Sequence, residues 1–458
     1  MNPPLRYEQL RQRQVADLAA RLPGFLRRLR WTDEQLRAER LRAWRALLVA
    51  ARERSPWHRR RLAGVDPARF TEADVEGLPV MTKADLMEHF DEIVTDRRLS
   101  RAACEEHLAG LTGDAYLLDE YHVVASGGSS GQRGVFVFGR DAWVTCYASV
   151  LRPQIADWQA DPALAGLPRV TGVVAAAKPT HISSAFGLTF STPGQSRHLF
   201  PVSRPLPEIV AGLNDLQPTV LTGYSSYLPR LAHEARAGRL RIAPRRVIAI
   251  SEPLLPEARA VLEAAFTVPV LNSYGMSEGV FATGCRAGGM HLPDDLAYVE
   301  PVDRAGQPTG PGVASHHTLV TVLYNPVLPL IRYEVSDELT SLGPCPCGSA
   351  HRRIAEPQGR LDDVFAYAEG VVVHPHVFRS ILGRRADVVE YQVRQTAGGA
   401  DIDVVTSSGG IDALLAGEMA AGLAALGLAD PAVNVTPVDT LPRLPTGKLR
   451  RFVPLIGP

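Results

Sequence analysis

The chain has 458 residues, 45% of them hydrophobic and 21% charged, a composition that suits a globular protein with two or more packed units. Forty-nine basic residues balance forty-nine acidic ones, which argues against a protein whose main task is gripping nucleic acid or an anionic membrane. No apolar run reaches the ~18 residues of a membrane span, and Met1 to Leu10 lacks the apolar core of a secretion signal, so the cytosol is the expected location.

In chain order, the first 75 residues read as helical, with Leu10, Val15, Leu18, Leu22, Leu26 and Leu29 at helical spacing among Arg and Glu. Arg59 to Arg61 could form a phosphate-binding arm, but acidic neighbours favour a solvated helix face. From about residue 120 short apolar runs alternate with amphipathic segments. Val170 to Ala177, Val220 to Leu221, Arg246 to Ile250 and Val268 to Leu271 read as strands, and Leu228 to Ala237 and Pro256 to Ala265 as helices. Such alternation predicts an α/β region with a largely parallel sheet. Between Gly343 and Gly359 the chain turns rich in Pro and Gly. Beyond it, Val371 to Val373, Glu390 to Val393 and Asp401 to Val405 read as strands and Ala413 to Leu426 as a helix. That is enough for a small α+β domain. The expected division is a large domain over 1–360 and a small one over 361–458.

Only three of the basic residues are Lys: Lys83, Lys178 and Lys448. Five Cys, an odd number, speak against a disulfide framework. Five segments carry chemistry. Ser126-Gly127-Gly128-Ser129-Ser130-Gly131 lies between two apolar runs, where glycine turns and Ser hydroxyls can cradle phosphate oxygens. It lacks the Gly-Lys-Ser/Thr ending of a Walker loop, and a plain surface turn is the bland alternative. Asn272-Ser273-Tyr274-Gly275-Met276-Ser277-Glu278 offers a ring for a base and a carboxylate for Mg²⁺. Arg332 to Asp337, Gly359 to Asp363 and Leu444-Pro445-Thr446-Gly447-Lys448 complete the set.

In this order and spacing, the five segments resemble the adenylate-forming enzymes, the acyl-CoA synthetases and their relatives. The phenylacetate-CoA ligase branch is the most similar. It also accounts for Leu78 to Leu86, Gly223 to Leu228 and Gly370 to Pro375, so the resemblance runs from about residue 45 to the C-terminus. It implies a large adenylate-forming domain with mostly parallel sheets and a small mobile α+β C-terminal domain. It implies that Ser126 and Gly128, Ser129, Ser130 and Gly131 hold ATP phosphates, and that Ser251, Glu252, Ser273, Gly275, Met276 and Ser277 line the nucleotide site. Tyr274 would pack on adenine, Glu278 would bind Mg²⁺, and Asp337 would take the ribose hydroxyls with Arg360 close by. Lys448 would be the catalytic cation and Asp362 the pivot of the small domain.

The sequence departs from the pattern at Gln132, Arg133 and Ser251, where Lys, Pro and Gly are usual; weaker phosphate contact is the expected consequence. A catalytically silent nucleotide-binding regulator is the rival from another class, and the presence of Glu278, Asp337, Arg360 and Lys448 counts against it. His181, Phe186 and Tyr224 are candidates for the acid pocket, although a satisfied core His is the favoured account of His181. Cys345 and Cys347, one residue apart, look like half of a zinc knuckle. The same branch often pairs them with a Cys and a His at Cys285 and His291, which would close a structural Cys₃His site. Cys104 and Cys146 read as core residues.

The expected activity is ATP- and Mg²⁺-dependent conversion of a carboxylic acid, aromatic by expectation, to an acyl adenylate and then to a thioester of CoA. A carrier-protein thiol or an amine as acceptor, or an unusual oxyacid as substrate, stays open, as does a homodimer.

Overall fold

The computed structural model describes residues 3–126, 133–164, 166–191, 196–357, 363–385, 387–407, 414–444 and 447–455. The chain forms two compact units: Met1–Val170 with Ala177–Arg197 and Leu271–Pro357, and Thr171–Ala176 with His198–Val270 and Gln358–Pro458.

The first unit opens with helices Pro3–Arg28 and Asp33–Arg54. The second of these starts at a capping box, in which the Thr32 hydroxyl accepts from the Gln35 N–H and the Gln35 side chain accepts from the Thr32 N–H. This reciprocal bonding satisfies two amides that a helix start otherwise leaves unpaired. Leu10, Leu18 and Phe25 on the first helix are buried, as helical spacing requires. The Arg59–Arg61 run is a helix face held locally: Arg60 pairs with Glu92, and Arg61 lies 4.1 Å over the Trp57 ring. Strands Tyr121–Ala125 and Val135–Gly139 pair antiparallel, and both are buried nearly throughout. The unit also holds an antiparallel sheet of Ala297–Val302, His317–Val322 and Tyr333–Val335. Antiparallel pairing continues through Val270–Gly275, Phe281–Gly284, Met290–His291, Arg353–Ile354 and Ser341–Leu342.

The second unit contains the α/β core. Strands Thr171–Ala175, Val220–Tyr224 and Arg246–Ile250 run parallel in that order. Helices Leu206–Leu216, Leu228–Arg236 and Pro256–Phe266 supply the apolar faces that cover them. Parallel strands need such crossovers, which is why the sequence alternates as it does. Residues beyond 363 form a four-stranded sheet in the order Ala432–Pro437, Gly399–Thr406, Val388–Thr396, Phe452–Val453. Helices His376–Leu382 and Leu414–Ala424 close its core through Phe378, Leu382, Leu415, Met419 and Leu423. Together these are the α/β architecture with an α+β C-terminal part that the pattern of elements predicts. Among the described residues no helix is long and apolar enough to cross a membrane.

Candidate functional site

Within the first unit, four of the sequence segments meet. Strand Val270–Gly275 ends in a tight turn: the Gly279 N–H donates to the Met276 carbonyl, and the Met276 N–H donates to the Val280 carbonyl. Gly279 has φ 104°, and a Cβ there would sit 2.6 Å from the Tyr324 hydroxyl, so only glycine fits. The turn leaves Glu278 nine-tenths buried and brings the Ser277 hydroxyl to 3.4 Å from the Ala125 carbonyl, at the end of the strand before Ser126. Ser126 closes the neck of its loop: its N–H donates to the Gly134 carbonyl, and its hydroxyl accepts from the Gly134 N–H at 2.8 Å. Gly128, Ser129, Ser130, Gly131, Arg360 and Asp362 lie outside the described residues.

Tyr274 is paired with Asp337, 63 residues away; its hydroxyl donates to the carboxylate at 2.9 Å. Asp337 is held by the Thr318 hydroxyl, which donates to its backbone carbonyl at 2.8 Å. The strand before it is fixed by Arg332, buried at φ 48°, which donates to the Glu76 and Leu78 carbonyls and pairs with Glu300. Met81 exchanges backbone bonds with Arg332 and Glu334, so the Leu78 to Leu86 motif docks on the Asp337 segment. Burial raises the Tyr333 hydroxyl above its ordinary range, and the negative charge of Glu278 adds to the shift. Ser273 and Met276 are buried, and Gly275 faces the Phe281 ring, where a Cβ would clash at 2.3 Å.

Among the acid-pocket candidates, His181 caps the helix Ile182–Thr189. Phe186 on that helix packs among Trp143, Tyr147, Phe190 and Phe281 with ring centroids 4.5–6.4 Å away. Tyr147, which stacks on Phe190 at 4.4 Å, carries no motif and was not visible from sequence. In the second unit the Tyr224 hydroxyl accepts from the Ala176 N–H at 3.1 Å, and burial pushes it up to about 12. There Ser251 adopts φ 67°, and the Glu252 carboxylate faces backbone amides of Ser226 and Leu449. Lys448 lies beside that contact.

Cys285, His291, Cys345 and Cys347 of the first unit converge, their ligand atoms all within 4.8 Å of one another. The Cys285 and Cys345 sulfurs are 3.7 Å apart, and the Cys347 sulfur lies 3.3 Å from His291 Nε2. Sulfurs on a tetrahedral ion at ~2.3 Å would be separated by about 3.8 Å. The turns that aim the thiols use glycines at positive φ, Gly288 at 85° and Gly348 at 81°. His291 Nδ1 bonds the His351 carbonyl at 3.1 Å, which selects the tautomer with a free Nε2 lone pair. Burial also lowers His291 and so keeps it neutral. No sequence signal pointed to the His351 carbonyl.

No protein-family profile matches the chain. A curated relative, Protein CapK of Staphylococcus aureus, is 27% identical over 197 residues, covering 42% of this chain and 41% of its own. The match therefore spans about two fifths of that relative's length. Among solved structures, 2-hydroxyisobutyryl-CoA ligase in the postadenylation state with R3-HIB-AMP aligns at TM-score 0.71 and 20% identity, over 93% of this chain and 91% of that one. The anthranilate CoA ligase AuaEII with anthranoyl-AMP aligns at TM-score 0.52 and 15% identity, over 72% and 65%. The structural neighbours are thus acyl-CoA ligases, and the chain has the fold of the adenylate-forming ligases with a C-terminal domain.

Proposed function

We propose that this protein is an acid-CoA ligase that works through an acyl adenylate. The observation that supports it most is the meeting of the segment that carries Tyr274, Ser277 and Glu278 with Asp337 on one side and with the strand end before Ser126 on the other. A ring, a ribose-facing carboxylate and a buried acid beside a Ser/Gly loop are what a nucleoside triphosphate with its metal requires. In this reading Ser126 and the loop Gly128 to Gly131 hold the phosphates, Tyr274 packs on adenine, and Asp337, with Arg360, takes the ribose. Ser273, Gly275 and Met276 line the same site. Glu278 would hold Mg²⁺, which when bound neutralises phosphate charge.

In the first step a carboxylate oxygen of the acid attacks the α-phosphorus. The bond to the β-phosphate oxygen breaks, and pyrophosphate leaves. Lys448 places positive charge at the α-phosphate, where negative charge gathers in the transition state. In the second step a thiolate attacks the acyl carbon and AMP leaves. CoA is the acceptor that this reading names, and the small domain over 361–458 pivots at Asp362 between the steps. An aromatic acid is the substrate class this reading names, and His181, Phe186 and Tyr224 are the residues to vary first in testing it.

The four-residue thiol and imidazole cluster is proposed to hold zinc. Three thiolates and one imidazole at these separations fit the ion, and a set supplied wholly by the protein leaves no open position for catalysis.

The test is pyrophosphate release from ATP and Mg²⁺ with a panel of aryl and short acids, with and without CoA. Acid-dependent release and a thioester product are expected, both abolished in Lys448→Ala. ATP binding without release for any acid would overturn the reading.

A further inference from the structure

Three features of the second unit converge on the chain around Lys448. Gly447 has φ 74°, and a Cβ there would lie 2.5 Å from Val202 and 3.4 Å from both Ala176 and Tyr224. The backbone is therefore seated directly on the α/β core, and no side chain fits between. Second, Glu252 bridges two backbone amides: one carboxylate oxygen accepts from Leu449 N–H and the other from Ser226 N–H, both at 2.8 Å. The Ser225 hydroxyl donates to the Glu252 backbone carbonyl at 2.9 Å, so the backbone that carries the carboxylate is itself anchored. Third, Arg443 donates to the Ser226 hydroxyl at 3.0 Å and to the Gly447 carbonyl at 3.4 Å, pairs with buried Glu390, and lies over the Tyr227 ring. Arg230 is 3.9 Å from the same Glu390 carboxylate.

A lysine ammonium on four methylenes is a floppy charge, and its use in a reaction depends on where its backbone is fixed. We infer that Glu252 is the positioning residue for Lys448: it clamps the amide of the next residue to the Ser225–Ser226 turn, with Arg443 bracing the same segment from Ser226, Gly447 and Glu390. This rests on the ligase reading above and deepens it. It gives Glu252 a role toward the protein's own backbone rather than toward the nucleotide. It also explains why a carboxylate stands here, because only a group with two acceptor oxygens satisfies both amides. Glutamine keeps the size but turns one acceptor into a donor that faces an N–H.

The experiment compares wild type, Glu252→Gln and Lys448→Ala. It measures amide hydrogen exchange in a peptide spanning Gly447 to Val453, acid-dependent ATP–pyrophosphate exchange, and thioester formation from a supplied acyl adenylate and CoA. In Glu252→Gln the peptide should lose protection, and the adenylation kcat should fall about ten- to a hundredfold, the range for a lost charge-assisted bond. The KM for ATP and the second half-reaction should stay within about twofold, because the clamp acts through Lys448. Gly447→Ala leaves Glu252 intact but pushes the segment off Val202; it should give the same split and serves if Glu252→Gln fails to fold. Unchanged protection in Glu252→Gln, equal loss of both half-reactions, or a higher KM for ATP at constant kcat would each overturn the positioning role. If wild type itself makes no adenylate with any acid, the ligase reading falls and this role with it; an active wild type with an unaffected Glu252→Gln fells only the role.

Discussion

At the scale of single residues, the Tyr274–Asp337 pair is the contact on which the proposed nucleotide site most depends. A carboxylate that accepts a phenol hydroxyl at 2.9 Å is oriented as well as charged. Asp337→Asn keeps the shape and removes the charge, and is expected to raise the KM for ATP about tenfold or more, the cost of a hydrogen bond to a charged group. Tyr274→Phe keeps both the ring and the Asp337 charge and loses only the bond that orients the carboxylate, so it should raise the KM for ATP less than Asp337→Asn does. Steady-state kinetics against ATP checks both, and equal effects would place the binding energy in the bond between the two side chains rather than in the carboxylate's own charge. These residues were legible because each stands in a short motif with its own chemistry. Glu252 was legible only as part of a motif, since its partners are backbone amides that no side-chain pattern encodes. Tyr147 carried no signal either, since an aromatic residue on an amphipathic helix reads as core wherever it faces.

At the scale of elements, most strands and helices fall where apolar runs place them, as with Arg246–Ile250. The strand expected at Val268 starts instead at Val270. Thr267 caps the preceding helix in the left-handed region at φ 56°, and Pro269 has no N–H for a ladder. Strand Ala432–Pro437 was missed because it is an edge strand, largely exposed, with little apolar signal. The short helix Pro56–Arg61 carries a buried imidazole, His58, whose Nε2 bonds the Pro329 carbonyl at 2.9 Å. Burial pushes His58 down to about 4 from 6.5, only partly offset by that bond. The folded state therefore holds it neutral, while the unfolded chain takes up a proton below about 6.5. Stability from this group is full above that pH, declines as pH falls toward about 4 and then levels, for a loss of about 3 kcal/mol. Urea titrations at pH 7 and pH 4.5 should show this decline, and His58→Gln should flatten it. An unflattened curve would assign the acid sensitivity to other groups.

At the scale of the whole molecule, what the sequence could not supply is which distant segments meet. The Cys345-Pro346-Cys347 spacing announces half a ligand set, but its partner half lies 60 residues earlier and could be joined to it only by resemblance. The geometry now supports that joining on its own terms, with tetrahedral separations and an oriented His291. A metal there would cross-link strand Met290–His291 to the turn at Gly348, and because the unfolded chain offers no preformed site, its binding free energy would add to the stability of the fold. Metal analysis should find about one zinc per chain. Stripping it with a chelator should lower Tm by about 5–10 °C, the shift expected when a ligand held well above its Kd is lost from a unit of this size. Cys345→Ser should lose both the metal and the chelator response. Because a fully protein-ligated zinc offers no site to substrate, adenylation at a temperature below the lowered Tm should persist in stripped protein. Activity that vanished with the metal while the fold stayed intact would make the ion a participant in the chemistry and would overturn its assignment as a structural staple.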